Sequence, residues 1–333
     1  MLIPVVILLM AGVLSITSWN MRSFTTARPY VKHLMQDSDI IVLAEHRLYQ
    51  NELYKLGNIN SLFQVHAKCS KDLNTDSQSK TSGHCGIAIC WKNELDNRVN
   101  VIECYSDRIC ILELIDVCNG RNLYVIGVYL PQRNSKISSF DEELEILCTS
   151  VCECKVKGEV LIIGDLNCHF GEKNGARFWG KSTPNALKIL QWIENAEMII
   201  IDAGRICTGP NYTFNVEGIG RSYIDHCIGT SEVSTLVKSC QIFNDCIPNT
   251  SDHLPINVKI ECLANSVNRP SIEDYTNVKW SKIDSASVKS LYTEPLQQLL
   301  SQCLVDIKLL QNTKVRLKKD IVKQKKLTLY YVM

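Results

Sequence analysis

EVLIIGDLN, residues 159–167, decides the fold class. Val160 to Ile163 are four consecutive branched apolar residues, the length and composition of a buried strand. Gly164 interrupts the run, and Asp165 and Asn167 arrive as the strand surfaces. The same pattern recurs along the chain. LSITSWN (14–20) ends on Asn20, IIVLAEH (40–46) carries Glu45, SYID (222–225) ends on Asp225, and SDHLPI (251–256) carries Asp252 and His253. Acidic and amide side chains at the ends of apolar strands do not build a core. Oxygen ligands of this kind suit a hard divalent cation such as Mg²⁺, and a histidine with a carboxylate partner suits proton transfer. The expectation is a metal-dependent hydrolase of phosphodiesters.

Strand-like runs are predicted over 12–19, 39–44, 85–91, 109–116, 122–130 and 159–164, with helices over 27–36, 140–154 and 184–195. In the last of these, Asn185, Leu187, Leu190 and Ile193 form the expected buried stripe, with Pro184 in the first turn, where proline is tolerated. Short strands with turn signals follow at 213–215, 222–230 and 254–261. Residues 68–84 are polar and predict a surface loop. The organisation is α/β, with one domain over 12–262, an apolar N-terminal extension or signal segment over 1–11, and a linker and basic helical tail over 263–333.

The 333 residues carry 36 Lys+Arg against 35 Asp+Glu, but unevenly. Residues 265–333 hold 12 basic and 6 acidic side chains, a balance of +6, which leaves 1–264 at −5. The core therefore lacks the basic balance that would directly support nucleic-acid binding, although carboxylates gathered around a cation would themselves make it acidic. The chain has 16 cysteines, many inside apolar runs and none in a zinc-type C-x-x-C pair, a usage that predicts free thiols. The apolar N-terminal run is short for a membrane span, so no stable membrane partner is expected.

Taken singly each motif has a bland reading, since Asp and Asn favour turns for local reasons. The order and chemistry of the set say more. SWN, AEHRL, VYLPQ, GDLN, SYID and SDHLPI, in this order over about 14–260, resemble the endonuclease/exonuclease/phosphatase superfamily. Within it the chain resembles the endonuclease domain of non-long-terminal-repeat (LINE-type) retrotransposons, similar to apurinic/apyrimidinic endonucleases. The resemblance implies a DNase I-like four-layer sandwich, two packed mixed β-sheets flanked by helices, with the active site at one end.

It also implies roles. Glu45 would be the principal carboxylate for Mg²⁺, with Mn²⁺ a substitute, and Asn20 and Asp252 would complete or support the cation site. Asp165 would orient or deprotonate the attacking water, and Asn167 would hold a phosphate oxygen. Tyr129 would lie against the scissile phosphate, and His253, oriented by Asp225, would contact it. The product would be a nick with a 5′-phosphate and a 3′-hydroxyl. Where apurinic endonucleases carry an Asp two positions after the first-strand Asn, this chain has Arg22, which could meet a phosphate or merely sit in a surface loop. His46 could serve the site or simply pack.

The expected partner is DNA and the expected setting intracellular and nuclear, with secretion left open by the apolar N-terminus. No Asp-Asp pair occurs in the chain, so it is read as an endonuclease module without the reverse transcriptase. Two rivals stand beside this reading: a phosphatase or phosphodiesterase acting on lipids or small molecules, and a co-opted module that binds without cutting.

Overall fold

Side chains alternate across a strand, so a run that is apolar throughout must be covered on both faces. The computed structural model describes residues 12–69, 85–132, 139–218 and 220–262. The expected N-terminal extension (1–11), residues 70–84 of the polar loop, and the linker and tail (263–333) lie outside these. The chain divides into two units, Met1–Ser266 and Val267–Met333, and every described residue belongs to the first.

In chain order the strands are β1 (Gly12–Asn20), β2 (Ile40–Ala44), β3 (Phe63–Lys68), β4 (Ile87–Lys92), β5 (Val99–Ile102), β6 (Ile109–Cys118), β7 (Arg121–Tyr129) and β8 (Gly158–Asp165). They continue with β9 (Ile199–Ile200), β10 (Cys207–Thr208), β11 (Phe214–Val216), β12 (Gly220–Ser222), β13 (Asp225–Gly229), β14 (Val237–Ile242) and β15 (Ile256–Cys262). The helices are α1 (Phe24–Leu34), α2 (Tyr54–Gly57), α3 (Phe140–Lys157), α4 (Pro184–Asn195) and α5 (Ser231–Leu236). One mixed sheet runs β10-β14-β15-β1-β2-β4-β3 and a second β5-β6-β7-β8-β13-β9, while β11 and β12 form a separate hairpin.

The apolar runs are split by their period of two. Ile40, Val42 and Ala44 of β2, with Ile87, Ile89 and Trp91 of β4, enter the main core, shared with the β6–β8 strands of the second sheet. Ile41, Leu43, Ala88 and Cys90 turn the other way, onto Ala27, Tyr30, Val31 and Leu34 of α1. On the far side α3 packs on β7 and β8 and meets α4. The layers are helix, sheet, sheet, helix, as expected. Burying a side chain of this size stabilises by about 1.5–3 kcal/mol, more than any per-residue helix preference of Leu or Ile. Tertiary burial therefore decides the strand state of these runs.

Several expectations need correction. In α4 the buried residues are Asn185, Ala186, Ile189 and Ile193, while Leu187, expected in the stripe, is 58% exposed. The buried face follows the spacing of Ala186, Ile189 and Ile193, which join the main core beside α3. The strand predicted from 85 starts at Ile87, because Cys85 and Gly86 turn through φ of +69° and +95°. The run 222–230 is broken: Ser222 closes the hairpin with β11, and β13 begins at Asp225. Between them the Thr213 hydroxyl accepts from the backbone N–H of both Ile224 and Asp225, at 3.0 Å each. No disulfide joins the described cysteines.

Candidate active site

Strand register carries the polar groups to one end. β1 and β2 run parallel and finish together, with Asn20 beside Ala44, so Asn20 and Glu45 leave the sheet at the same edge. In the second sheet Asp165, the last residue of β8, is flanked by Tyr129 on parallel β7 and by Asp225 on antiparallel β13. Gly164 makes this possible. It holds φ at +151°, and a Cβ there would lie 2.0 Å from the Val128 carbonyl oxygen. The chain then turns hard at the strand ends. Arg22, Glu45, Arg47 and Asn167 all adopt left-handed conformations, with φ of +57°, +54°, +54° and +50°. Such backbone costs on the order of 1–3 kcal/mol per residue and is held by its surroundings.

Those surroundings are a hydrogen-bond network across the two sheets. The Asn20 amide nitrogen donates to Glu45 Oε1 (3.2 Å) and to Asp165 Oδ2 (2.9 Å), linking the first sheet to the second. The Tyr129 hydroxyl donates to Glu45 Oε1 at 2.7 Å, and Arg47 donates to Glu45 Oε2 at 2.6 Å. Burial alone would raise the Glu45 pKa, but the Tyr129, Arg47 and Asn20 hydrogen bonds outweigh it and the carboxyl is held below its usual range. The Tyr129 phenol is pushed far above its usual range, first by burial and then by the Glu45 charge, so it remains a donor.

Beside this network lies a histidine–carboxylate pair. Asp225 Oδ2 accepts from His253 Nδ1 at 2.8 Å, which leaves Nε2 4.0 Å from Asp165 Oδ2. Burial works against the His253 charge, but Asp225, then Asp165 and Asp252, raise its pKa to about 9. Burial and the neighbouring Asp225 push Asp165 up to about 7, against the pull of His253 and of the Asn20 and Asn167 hydrogen bonds. The ligand atoms of Asp165, Asp225 and His253 all lie within 4.8 Å of one another.

The other expected site residues stand around this centre. Asn167 donates its backbone N–H to Asp165 Oδ1 (2.8 Å) and its side-chain amide to the Leu130 carbonyl (2.7 Å), so one side-chain N–H and the oxygen are left for other partners. Asn20 turns its NH2, and not its oxygen, to the carboxylates, and its oxygen accepts from the Arg22 N–H at 3.0 Å. Asp252 is ion-paired with Arg22 at 3.2 Å. Glu45 and Asp252 both fall outside the Asp165–Asp225–His253 group. For a hard dication the donor chemistry fits: Glu45 is an ionised oxygen donor whose main counter-ion, Arg47, is 37% exposed.

Arg108 and Phe214 escaped the sequence reading, while Arg47 and Ser251 stood inside its motifs AEHRL and SDHLPI without an assigned contact. Arg47 follows Glu45 by two residues. Arg108 lies over the Tyr129 ring, its Cζ 4.9 Å from the centroid, and gives one amino group to Cys85 Sγ at 2.8 Å. Its Nη1 is buried and has no hydrogen-bond partner. Ser251 donates to the Asn20 carbonyl at 2.7 Å and accepts from the His253 N–H at 3.1 Å, joining the SDHLPI turn to the end of β1. Phe214 sets its ring edge-on to His253, with centroids 5.2 Å apart. A Phe in so short a strand carries no sequence signal of its own.

His46 packs. Its Nε2 bonds the Lys68 carbonyl (3.0 Å), its Nδ1 accepts from the Leu48 N–H (3.1 Å), and its ring lies against Gly86, where a Cβ would come within 2.4 Å. Burial lowers its pKa from 6.5 to about 4. The unfolded chain therefore takes up a proton between those values that the folded chain refuses. The stability contributed by neutral His46 is complete above about pH 6.5 and is lost as pH falls toward 4, on the order of 3 kcal/mol. Urea titrations at pH 7 and pH 4.5 check this: His46→Gln is expected to flatten the difference, and an unchanged pH dependence contradicts it.

Comparison with known proteins follows the same lines. A family model described as Endonuclease-reverse transcriptase matches residues 123–257, from β7 into β15. Among solved structures, the chain is similar to the 3′ phosphatase NExo from Neisseria, bound to a product DNA hairpin. There the identity is 16%, the match covers 74% of this chain and 99% of that one, and the TM-score is 0.57. It is also similar to the APE2 catalytic domain of Xenopus laevis (18% identity, 77% and 94% covered, TM-score 0.57). A third is the endonuclease domain of TRAS1, a telomere-specific non-LTR retrotransposon (14% identity, 75% and 99% covered, TM-score 0.52). No curated protein matches the chain by sequence. At these identities the likeness to solved structures speaks for the fold.

Proposed function

We propose that this chain, which resembles the endonuclease/exonuclease/phosphatase superfamily and the retrotransposon endonuclease domains within it, is a retrotransposon-derived, Mg²⁺-dependent DNA endonuclease that nicks one strand. The observation that carries the reading is the convergence of Glu45, Asn20, Tyr129 and Asp165 with the Asp225–His253 pair at one end of the two sheets.

Glu45 would hold the cation, supported by Asn20 through its hydrogen bond. When bound, the cation supplies Lewis acidity at the phosphoryl group and stabilises the leaving oxygen. The remaining chemistry belongs to the side chains. Asp165, with a pKa near neutrality, takes the proton from the attacking water. His253 is held protonated by Asp225 and offers Nε2–H to a phosphate oxygen as negative charge grows there. Tyr129 keeps its proton, holds Glu45 in place and faces the scissile phosphate. Asn167 has one amide N–H left for a second phosphate oxygen.

The test is a supercoiled plasmid incubated with the full chain. Nicking is expected in Mg²⁺ or Mn²⁺ and none in excess chelator, and the nick should be sealed by DNA ligase, which requires a 5′-phosphate beside a 3′-hydroxyl. An untouched plasmid, alongside hydrolysis of a phosphoinositide or of sphingomyelin, would move the activity to the lipid-directed reading. An absence of both activities would favour a module that binds without cutting.

A further inference from the structure

On the face of β13 turned away from Asp225 lies a second histidine–carboxylate pair, which the chemistry above does not use. The side chains of His226 and Asp202 are fully buried, with Nδ1 2.9 Å from Asp202 Oδ2. Asp202 stands in the short turn Ile201–Ala203 after β9, and its Oδ1 accepts from the Cys227 N–H at 2.7 Å. The His226 ring stacks on Phe170, with centroids 3.9 Å apart, and on Tyr223 at 5.3 Å. Its Nε2 lies 2.9 Å from the Cys168 carbonyl oxygen. A carbonyl only accepts, so Nε2 carries a proton and donates it.

Cys168 directly follows Asn167, and this contact helps to close a seam between the exit from β8 and the entry to β13. Along the same seam the Leu166 N–H donates to the Ile224 carbonyl at 3.0 Å, and the Tyr223 N–H donates to His169 Nδ1 at 3.4 Å. Asn167 sits within it at φ of +50°, a left-handed turn that asparagine tolerates and that its surroundings must select. Two hydrogen bonds flank that turn: the Asn167 N–H to Asp165 Oδ1 at 2.8 Å, and His226 to the Cys168 carbonyl. We infer that His226, braced by Asp202, is a positioning residue for Asn167. By fixing the Cys168 carbonyl it holds the turn that presents the Asn167 side-chain amide to phosphate. The inference rests on the phosphate role given to Asn167 under the endonuclease reading. What it requires is a donor at Nε2 and a partner that orients the ring, and not a charge. Asparagine in place of Asp202 supplies both, since its oxygen still accepts from the Cys227 N–H and its NH2 donates to Nδ1.

Hydrogen exchange of the Asn167 backbone amide reads the turn directly, and single-turnover nicking reads its consequence. In His226→Phe, which keeps a flat ring against Phe170, that amide should exchange about tenfold faster relative to amides of the β7–β8 ladder. A merely global loss of stability would move both sets together. Nicking should slow by about ten- to a hundredfold, up to the scale of one lost donor to a developing charge. Asp202→Asn should stay close to the parent in both measurements. Added to Asn167→Ala, His226→Phe should cost little more, because the group it positions is already gone. His226→Phe strands the buried Asp202, so Asp202→Asn/His226→Phe, which has no buried charge to strand, is measured beside it and should show the same two losses. Parental amide exchange in both His226 variants, or losses that multiply with Asn167→Ala, would overturn the inference and leave the endonuclease reading standing. So would an Asp202→Asn variant as impaired as His226→Phe, which would assign the pair's role to its charge. A parent that leaves DNA uncut would overturn the endonuclease reading, and amide exchange alone would then decide for or against His226 as the brace of the turn.

Discussion

Glu45→Gln is expected to fold normally and to lose about a thousandfold in the rate of the cutting step. Gln is nearly isosteric, and its oxygen can still accept from Tyr129 and Asn20, which reach Glu45 Oε1 at 2.7 and 3.2 Å. Its NH2 then faces Arg47, donor against donor, where Oε2 had accepted at 2.6 Å. Because the Arg47 side chain is 37% exposed, that guanidinium can rehydrate, and the stability cost should stay within about 1 kcal/mol. Cation binding has no such escape. A neutral amide is a poor ligand for a hard dication, and removing several kcal/mol of transition-state stabilisation corresponds to roughly 10³ in rate. Single-turnover nicking in Mg²⁺, with circular dichroism to verify the fold, decides it. Near-normal nicking would remove Glu45 from the cation site.

The second large effect concerns His253 and Asp225, 28 residues apart in sequence and 2.8 Å apart in the fold. Either His253→Ala or Asp225→Asn should cost roughly 10²–10⁴ in single-turnover rate, the scale of a positioned acid–base group. The reasons differ but share one unit. Without Asp225 the largest group opposing burial is gone, so the charged imidazole is disfavoured and the orientation of its Nε2–H toward phosphate is no longer fixed. Without His253 the buried Asp225 has nothing to orient. The double variant should therefore be little slower than the slower single one. Fully multiplicative losses at matched cation concentration would mean that the two residues act separately.

How much of this was legible in the chain depends on whether a residue's fate was set locally. β2 and β4 were readable because a continuous apolar run has no alternative but two-sided burial, and the structure covers them on both faces. β3 and β14 were not readable. FQVHAK and VKSCQI mix exposed and buried positions, and their strand state comes from pairing with β4 and β15. In α4 the helix was legible but its buried face was not, because the layer it packs on chooses the face, and that left Leu187 outside. His226 lies on the opposite face of β13 from Asp225, as period two requires. Its partner is Asp202 at 2.9 Å, a contact with no trace in the motif.

The site divides in the same way. By itself the sequence determined the chemical inventory and its order: acidic and amide groups placed where apolar strands end, a glycine before Asp165, and a histidine next to Asp252. Those are local properties, since a polar side chain at a strand terminus is solvated or bound whatever the rest of the chain does. Only the tertiary structure decided who meets whom. The parallel register of β1 with β2 and of β7 with β8 sets Asn20 beside Glu45 and Tyr129 beside Asp165. The close approach of the two sheets lets one amide touch both carboxylates, and the left-handed turns aim Arg22 and Arg47 back at Asp252 and Glu45. Charge pairing depends on distances of a few ångströms between residues up to 230 positions apart, such as Arg22 and Asp252, and folding alone sets those distances.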